Sequence, residues 1–169
     1  MKSLCTILMY IFCCTITKAQ FGLRVGYSTS SSLLADMNWR VNKNVLHLGG
    51  TYQFNGQLGG AKNTQLANYG RTSLGGDAYL ILLDFGYSRW LTNHLALGAE
   101  VSLGANRFFT NYSDRRFKSG GYHLITGSEF QAGVGLKGTY CFNSGFGFFV
   151  GYNMLSGANA GICYMSKGN

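Results

Sequence analysis

Leu95-Ala96-Leu97-Gly98-Ala99-Glu100-Val101-Ser102-Leu103-Gly104-Ala105-Asn106 decides the architecture of this chain. Apolar side chains occupy the odd positions, and Gly98, Glu100, Ser102, Gly104 and Asn106 fill the even ones beside Ala96. The period is two rather than 3.6, which is the signature of a strand with two unlike faces. Phe130, Ala132, Val134, Leu136, Gly138, Tyr140 and Phe142 repeat it against Gln131, Gly133, Gly135, Lys137, Thr139 and Cys141. Segments 21–28, 33–41, 45–54, 78–91, 146–155 and 158–166 share the habit, which makes eight strands in all.

The connections alternate in length. Asn42-Lys43-Asn44, Thr92-Asn93 and Asn143-Ser144-Gly145 are tight links built from residues that tolerate positive φ. At the opposite end lie 29–32, 55–77, 108–128 and 156–157, two of them long. Eight antiparallel neighbours allow the sheet to close and remove its edges. Short turns at one end and longer loops at the other imply an up-and-down β-barrel that crosses a membrane, with both termini at the short-turn, periplasmic end. Strands of about ten residues at roughly 3.3 Å, tilted by about 45°, rise near 23 Å, matching an apolar band of about 25 Å.

Composition agrees with that reading. The 169 residues have room for one domain. They include no proline, 25 glycines and 12% charged residues, below the roughly 25% of a soluble domain. The N-terminus reads as a cleaved signal peptide over 1–19, leaving a barrel domain over 20–169. Lys2 supplies its positive region, 4–14 its apolar stretch, and Thr17-Lys18-Ala19 a small-x-small site before Gln20. That stretch is too short for a membrane-spanning helix, which needs about 20 apolar residues. Cys13 and Cys14 lack the small residues that a lipidation site requires ahead of them. Of 14 basic residues, Lys2 and Lys18 depart with the signal, leaving 12 against 6 acidic. Cys141 and Cys163 are the cysteines that remain, too few for a disulfide framework. They fall on the sixth and eighth strands, which are not neighbours, so two free thiols are expected.

The polar face decides between a membrane barrel and a soluble one. A soluble barrel would carry a dense mixture of Lys and Glu there. Here Gly22, Gly26, Asn38, His47, Gly49, Thr51, Gly86, Ser88, Gly98, Ser102, Gly133, Gly135, Thr139, Gly147 and Gly151 dominate. Among them stand three cations, Arg24, Arg40 and Lys137, and three anions, Asp36, Asp84 and Glu100. Ionised groups inside a narrow lumen are tolerable when paired, so these six are expected to form a charge network. On the apolar face, aromatics gather at strand ends. Tyr27, Tyr52, Phe54, Tyr79, Phe130 and Tyr152 lie toward the loops, and Phe21, Trp39, Tyr87, Tyr140, Phe142, Phe146 and Tyr164 toward the turns. Two such belts are what bilayer interfaces select.

From the signal ending Ala19-Gln20, the opening Gly22-Leu23-Arg24-Val25-Gly26-Tyr27 and the Gly-alternating strands, residues 20–166 resemble the small outer-membrane β-barrel family. The resemblance is to its eight-stranded, Bacteroidetes-type members in the porin-like, OmpA-barrel-like superfamily. It implies residence in the outer membrane of a Gram-negative cell as a monomer, with outer-membrane lipids and the outer-membrane assembly machinery as partners. Such chains usually finish on an aromatic residue, whereas Tyr164 here is followed by five more, so the chain either extends past its last strand or is a truncated or irregular member.

Little in the sequence promises chemistry, and no enzyme, cofactor or metal site is expected. His123, Ser128 and Glu129 are the one candidate cluster for nucleophilic catalysis, with no G-x-S-x-G motif to fix them. His47, His94 and His123 stand on separate segments without metal-ligand spacing. The long loops are basic: Lys62 and Arg71 sit on one, Arg115, Arg116 and Lys118 on the other, with Arg107 at its base. Arginine matches phosphate geometry, so these loops either contact lipopolysaccharide phosphates or are solvated without a partner; their place on exported loops of a membrane-compatible chain argues against nucleic acid. Eight strands leave a lumen just wide enough for side chains. The expected role is structural or interactive; a narrow porin-like channel and a lipid-modifying enzyme are the alternatives.

Overall fold

A computed structural model describes residues 20–64, 66 and 72–166; the expected signal peptide over 1–19 lies outside the described residues. The chain forms β1 (Gln20–Ser28), β2 (Ser32–Val41), β3 (Asn44–Gln53), β4 (Ala61–Lys62), β5 (Ser73–Trp90), β6 (Leu95–Ser113), β7 (Gly121–Cys141), β8 (Phe146–Asn153) and β9 (Gly157–Met165). Leaving aside the two-residue β4, each strand pairs antiparallel with its neighbours in sequence. The ring closes where β1 pairs with β9, from Gly22 opposite Met165 to Ser28 opposite Asn159. The fold is therefore a closed eight-stranded, antiparallel, up-and-down barrel of the transmembrane type.

Turn chemistry sets the register. Asn42 adopts φ 57° between β2 and β3, a left-handed conformation that asparagine tolerates. Thr92 Oγ1 accepts from the backbone N–H of His94 and Leu95, holding the link between β5 and β6. Gly145, at φ 92°, closes the turn between β7 and β8. These turns lie at one end with Gln20 and Met165.

The three middle strands run further than their sequence pattern suggests. Much of the expected loop 108–128 is hairpin, because β6 continues to Ser113, β7 starts at Gly121, and the loop proper is only 114–120. A register shift at Phe108/Phe109 hides this: Phe108 faces Gly127 and Phe109 faces Ile125, so Thr126 is a bulged extra residue. A bulge of one residue exchanges the faces on which odd and even side chains lie, so a strict period-two pattern breaks there.

Polarity is inverted relative to a water-soluble protein. Along β1 burial alternates residue by residue, with Gly22, Arg24 and Gly26 inside and Phe21, Leu23, Val25 and Tyr27 outside. Ile162 is 70% exposed and Leu136 69%, while Lys137 is 2% exposed. The expected lipid-side aromatics Tyr27, Tyr52, Phe54, Phe130 and Tyr152, and Phe21, Tyr87, Phe142, Phe146 and Tyr164, are exposed. Tyr79 is not. It packs at 5.7 Å from both Tyr52 and Phe109 and 5.9 Å from His123, beneath the segment that follows β3. That segment is tied down by Asn55 Nδ2 donating to Ala78 O, Asn111 Nδ2 to Gly56 O, and Leu58 N–H to Asn111 Oδ1. It ends in β4, which adds in parallel to the free edge of β7 at His123 and Leu124.

Candidate functional site

The lumen holds one continuous polar network. Asp36 on β2 lies opposite Arg24 on β1, and Arg24 Nε reaches Asp36 Oδ2 at 3.1 Å. Lys137 crosses from β7 to donate to the same Oδ2 at 3.1 Å and to form an ion pair with Glu100 Oε2 at 2.7 Å. Glu100 also meets His47 Nε2 at 3.6 Å and accepts from Asn153 Nδ2 at 3.1 Å. Asn153 passes the chain on to Ser102 Oγ at 2.8 Å. Ser102 Oγ donates to Asp84 Oδ1, and Thr51 Oγ1 donates to Asp84 Oδ2 at 2.7 Å. Every member is buried. Burial of ions at this depth is stable only when each charge has a partner, and cross-barrel pairing supplies partners from seven strands.

Glycines make the packing possible. A Cβ at Gly86 would collide with the His47 ring, and one at Gly49 with the Asp36 carboxylate. Phe149 is 1% exposed and lies in the lumen, with Lys137 Nζ 5.4 Å and Arg24 Cζ 5.7 Å from its ring centre. Side chains at Gly26 or Gly161 would run into that ring. The lumen is thus filled by side chains, with Phe149 as an apolar plug beside the charges.

Five of the six expected lumen charges fall in this network, and Arg40 does not. Arg40 sits at the turn end of β2, half-buried, with its guanidinium 4.5 Å over the Trp90 ring and Nε donating to Asn42 O at 2.8 Å. The strand ends before the lumen deepens, so its long side chain folds over the rim. Asp84 belongs to the network through two hydroxyl donors and has no basic side chain within ion-pair distance among the described residues. Sequence reading missed Asn153 and Phe149. Both lie on the odd, inward face of β8 with Gly147 and Gly151, and that parity is the signal that could have found them.

The basic loop residues divide by environment. Arg115 and Lys118 are exposed on 114–120, with no acidic partner among the described residues. Arg116 is held by Asp114: Nη2 to Oδ2 at 2.8 Å and Nε to Oδ1 at 3.0 Å. The loop is braced by Asp114 N–H to Gly120 O at 2.8 Å and Gly120 N–H to Phe117 O at 2.9 Å. Lys62 stands over the Phe117 ring at 5.7 Å, which brings the two long connections together. Arg71 lies outside the described residues.

The catalytic candidates are not assembled. His123 Nδ1 bonds to Leu58 O at 3.1 Å, whereas Ser128 and Glu129 are exposed further along β7. His123 and Ser128 are five positions apart on β7, about 16 Å of chain. Among the described residues no group of three or more His, Cys, Asp or Glu side chains is arranged to hold a metal. Cys141 and Cys163 are free and buried, but their sulfurs are only 3.6 Å apart. The expectation of two free thiols agrees with this geometry; their closeness was not anticipated.

An inverted barrel with a filled, ion-paired lumen defines the class: a small transmembrane-type β-barrel. No family model matches the chain, and no curated protein does. Among solved structures it is similar in fold to a de novo designed transmembrane β-barrel, at 14% identity over 88% of this chain and 96% of that one, with TM-score 0.44. It is also similar to Ail, the attachment invasion locus protein of Yersinia pestis. In the complex with the heparin analogue sucrose octasulfate the identity is 9% over 87% of this chain and 90% of that one, TM-score 0.45. A second Ail structure gives 12% over 87% and 91%, TM-score 0.39.

Proposed function

We propose that the protein is an integral outer-membrane barrel with a structural or interaction role, whose loop end meets the anionic lipopolysaccharide of the cell surface. The observation that carries the membrane reading is the exchange of inside and outside. Arg24, Asp36, Asp84, Glu100 and Lys137 are buried, while Leu23, Val25, Val134, Leu136 and Ile162 face outward. Soluble monomers rarely expose an apolar patch beyond a few hundred Å². A belt running round the whole barrel is stable where lipid replaces water.

The filled lumen favours interaction over conduction, because Phe149 and the Asp36–Lys137–Glu100 bridge occupy the space a solute would need. Purified barrel in planar bilayers is expected to give no stepwise conductance; regular steps would establish the porin-like alternative. At the loop end, Arg115 and Lys118 stand on a braced turn beside Lys62. Braced cations lose little entropy on meeting phosphate, and arginine can do so bidentately. Arg115→Gln with Lys118→Gln should weaken lipopolysaccharide binding more than Arg116→Gln, since Arg116 already has Asp114 as its partner. Binding unchanged in the double variant would overturn the proposed partner.

A further inference from the structure

We propose that Cys141, Cys163 and Met165 form a binding site for a soft monovalent cation, copper(I), at the turn end of the barrel. Cys141 on β7 and Cys163 on β9 are both register partners of Gly147 on the intervening β8. Glycine there puts no side chain between them, and their sulfurs face each other at 3.6 Å. Their strands flank β8 in a tightly curved ring, which brings the two inward side chains together. A disulfide would require the sulfurs to close from 3.6 Å to about 2.05 Å. A bridging ion needs no such movement. With metal–sulfur bonds of about 2.3 Å, two sulfurs at this spacing subtend roughly 100° at a shared ion.

The surroundings suit that occupant. Both cysteines and Met165 line a cavity of about 10 Å³, together with Arg24, Asn38, Ser88 and Trp90. Arg24 Nη2, Asn38 Oδ1, Ser88 Oγ and Trp90 Nε1 are buried without a hydrogen-bond partner. Met165 lines the same cavity, packs against the Val45, Trp90, Ala96, Cys141 and Cys163 cluster, and carries a thioether sulfur that lies beside Gly22. Thiolate and thioether donors select copper(I), whereas zinc takes four ligands that this site does not supply. Binding converts two thiols and one copper(I) ion into a bis-thiolate complex of charge −1 and two protons released to solvent, with no change of oxidation state. Arg24 and the Trp90 N–H face the anionic complex. An open cleft of about 360 Å³ at the turn end, lined by Cys141, Met165, Trp90, Arg40 and His94, gives the ion and the protons a path.

The test uses the chain isolated from membranes in a Cys5→Ser, Cys13→Ser, Cys14→Ser background, so that every remaining thiol belongs to the site. Copper(I) is titrated anaerobically against a chromophoric chelator, with silver(I) as a redox-inert second probe and zinc(II) as the contrast. The expected result is one ion per barrel, a thiolate-to-copper absorption band, and both thiols protected from maleimide. Cys163→Ser and Cys163→Ala should each lower affinity at least about 100-fold, and Met165→Leu roughly tenfold. Heat-modifiable migration selects the folded variants. Affinity unchanged in a folded Cys163 variant, zinc(II) binding as tightly as copper(I), or ready disulfide formation in the folded barrel would each overturn the proposal. Loss of binding in both Cys163 variants but not in Met165→Leu would overturn the three-sulfur site.

Discussion

Asp36→Asn isolates the electrostatics of the lumen. One carboxylate oxygen, Oδ2, receives both Arg24 Nε and Lys137 Nζ at 3.1 Å, and all three side chains are at least nine-tenths buried. At an effective dielectric of about 20, each contact is worth roughly 5 kcal/mol before desolvation. Asparagine keeps the shape and a dipole but removes the charge. Lys137 retains Glu100 at 2.7 Å, whereas Arg24 loses its one carboxylate contact among the described residues and keeps Thr139 Oγ1 at 3.4 Å. Leaving one partner of a buried pair uncompensated costs about 3–5 kcal/mol, and that is the expected loss. Equilibrium urea unfolding in lipid vesicles, followed by tryptophan fluorescence, measures it. The companion variant Arg24→Met/Asp36→Leu removes both charges and should return to within about 1 kcal/mol of the parent, because replacing a whole buried pair is close to neutral. Asp36→Asn within 1 kcal/mol of the parent, or a double variant worse than the single, would refute the paired-charge account of the lumen.

Val25→Arg tests the outer face, since Val25 lies outward near the middle of β1. In a bilayer the charge should cost about 2–4 kcal/mol in the same unfolding assay, whereas an exposed site on a soluble barrel would change by about 0.5 kcal/mol or less. Phe149→Ala removes the apolar plug and should cost about 3–5 kcal/mol. Current recordings in planar bilayers should then show a leak absent from the parent, and stability within about 1 kcal/mol of the parent would show that Phe149 does not pack the lumen as described.

Period-two alternation made the strands, the closed ring and five lumen charges legible, because inward and outward environments differ so sharply that each side chain declares its face. What escaped has particular causes. Arg40 shares the parity of Asp36, yet it lies at the rim, where side-chain length rather than parity decides the partner. Phe149 is apolar on the polar face, accommodated by the missing side chains of Gly161, its register partner on β9, and Gly26 on β1. Tyr79 keeps its outward parity but is covered by a segment whose path depends on Asn55, Leu58 and Asn111, contacts far apart in sequence. The bulge at Thr126 broke the very pattern used to find strands. The thiol pair was hidden because counting strands treats Gly147 as a barrier, whereas a residue without a side chain separates nothing on that face.

The most direct measurement is where the protein goes and how it migrates. Membranes separated by density after expression in a Gram-negative host should place the chain in the outer-membrane fraction. Unheated samples should run as a compact band that shifts on boiling, as a closed barrel does when its strands separate. Recovery in the soluble periplasmic fraction, with one mobility before and after heating, would contradict the account.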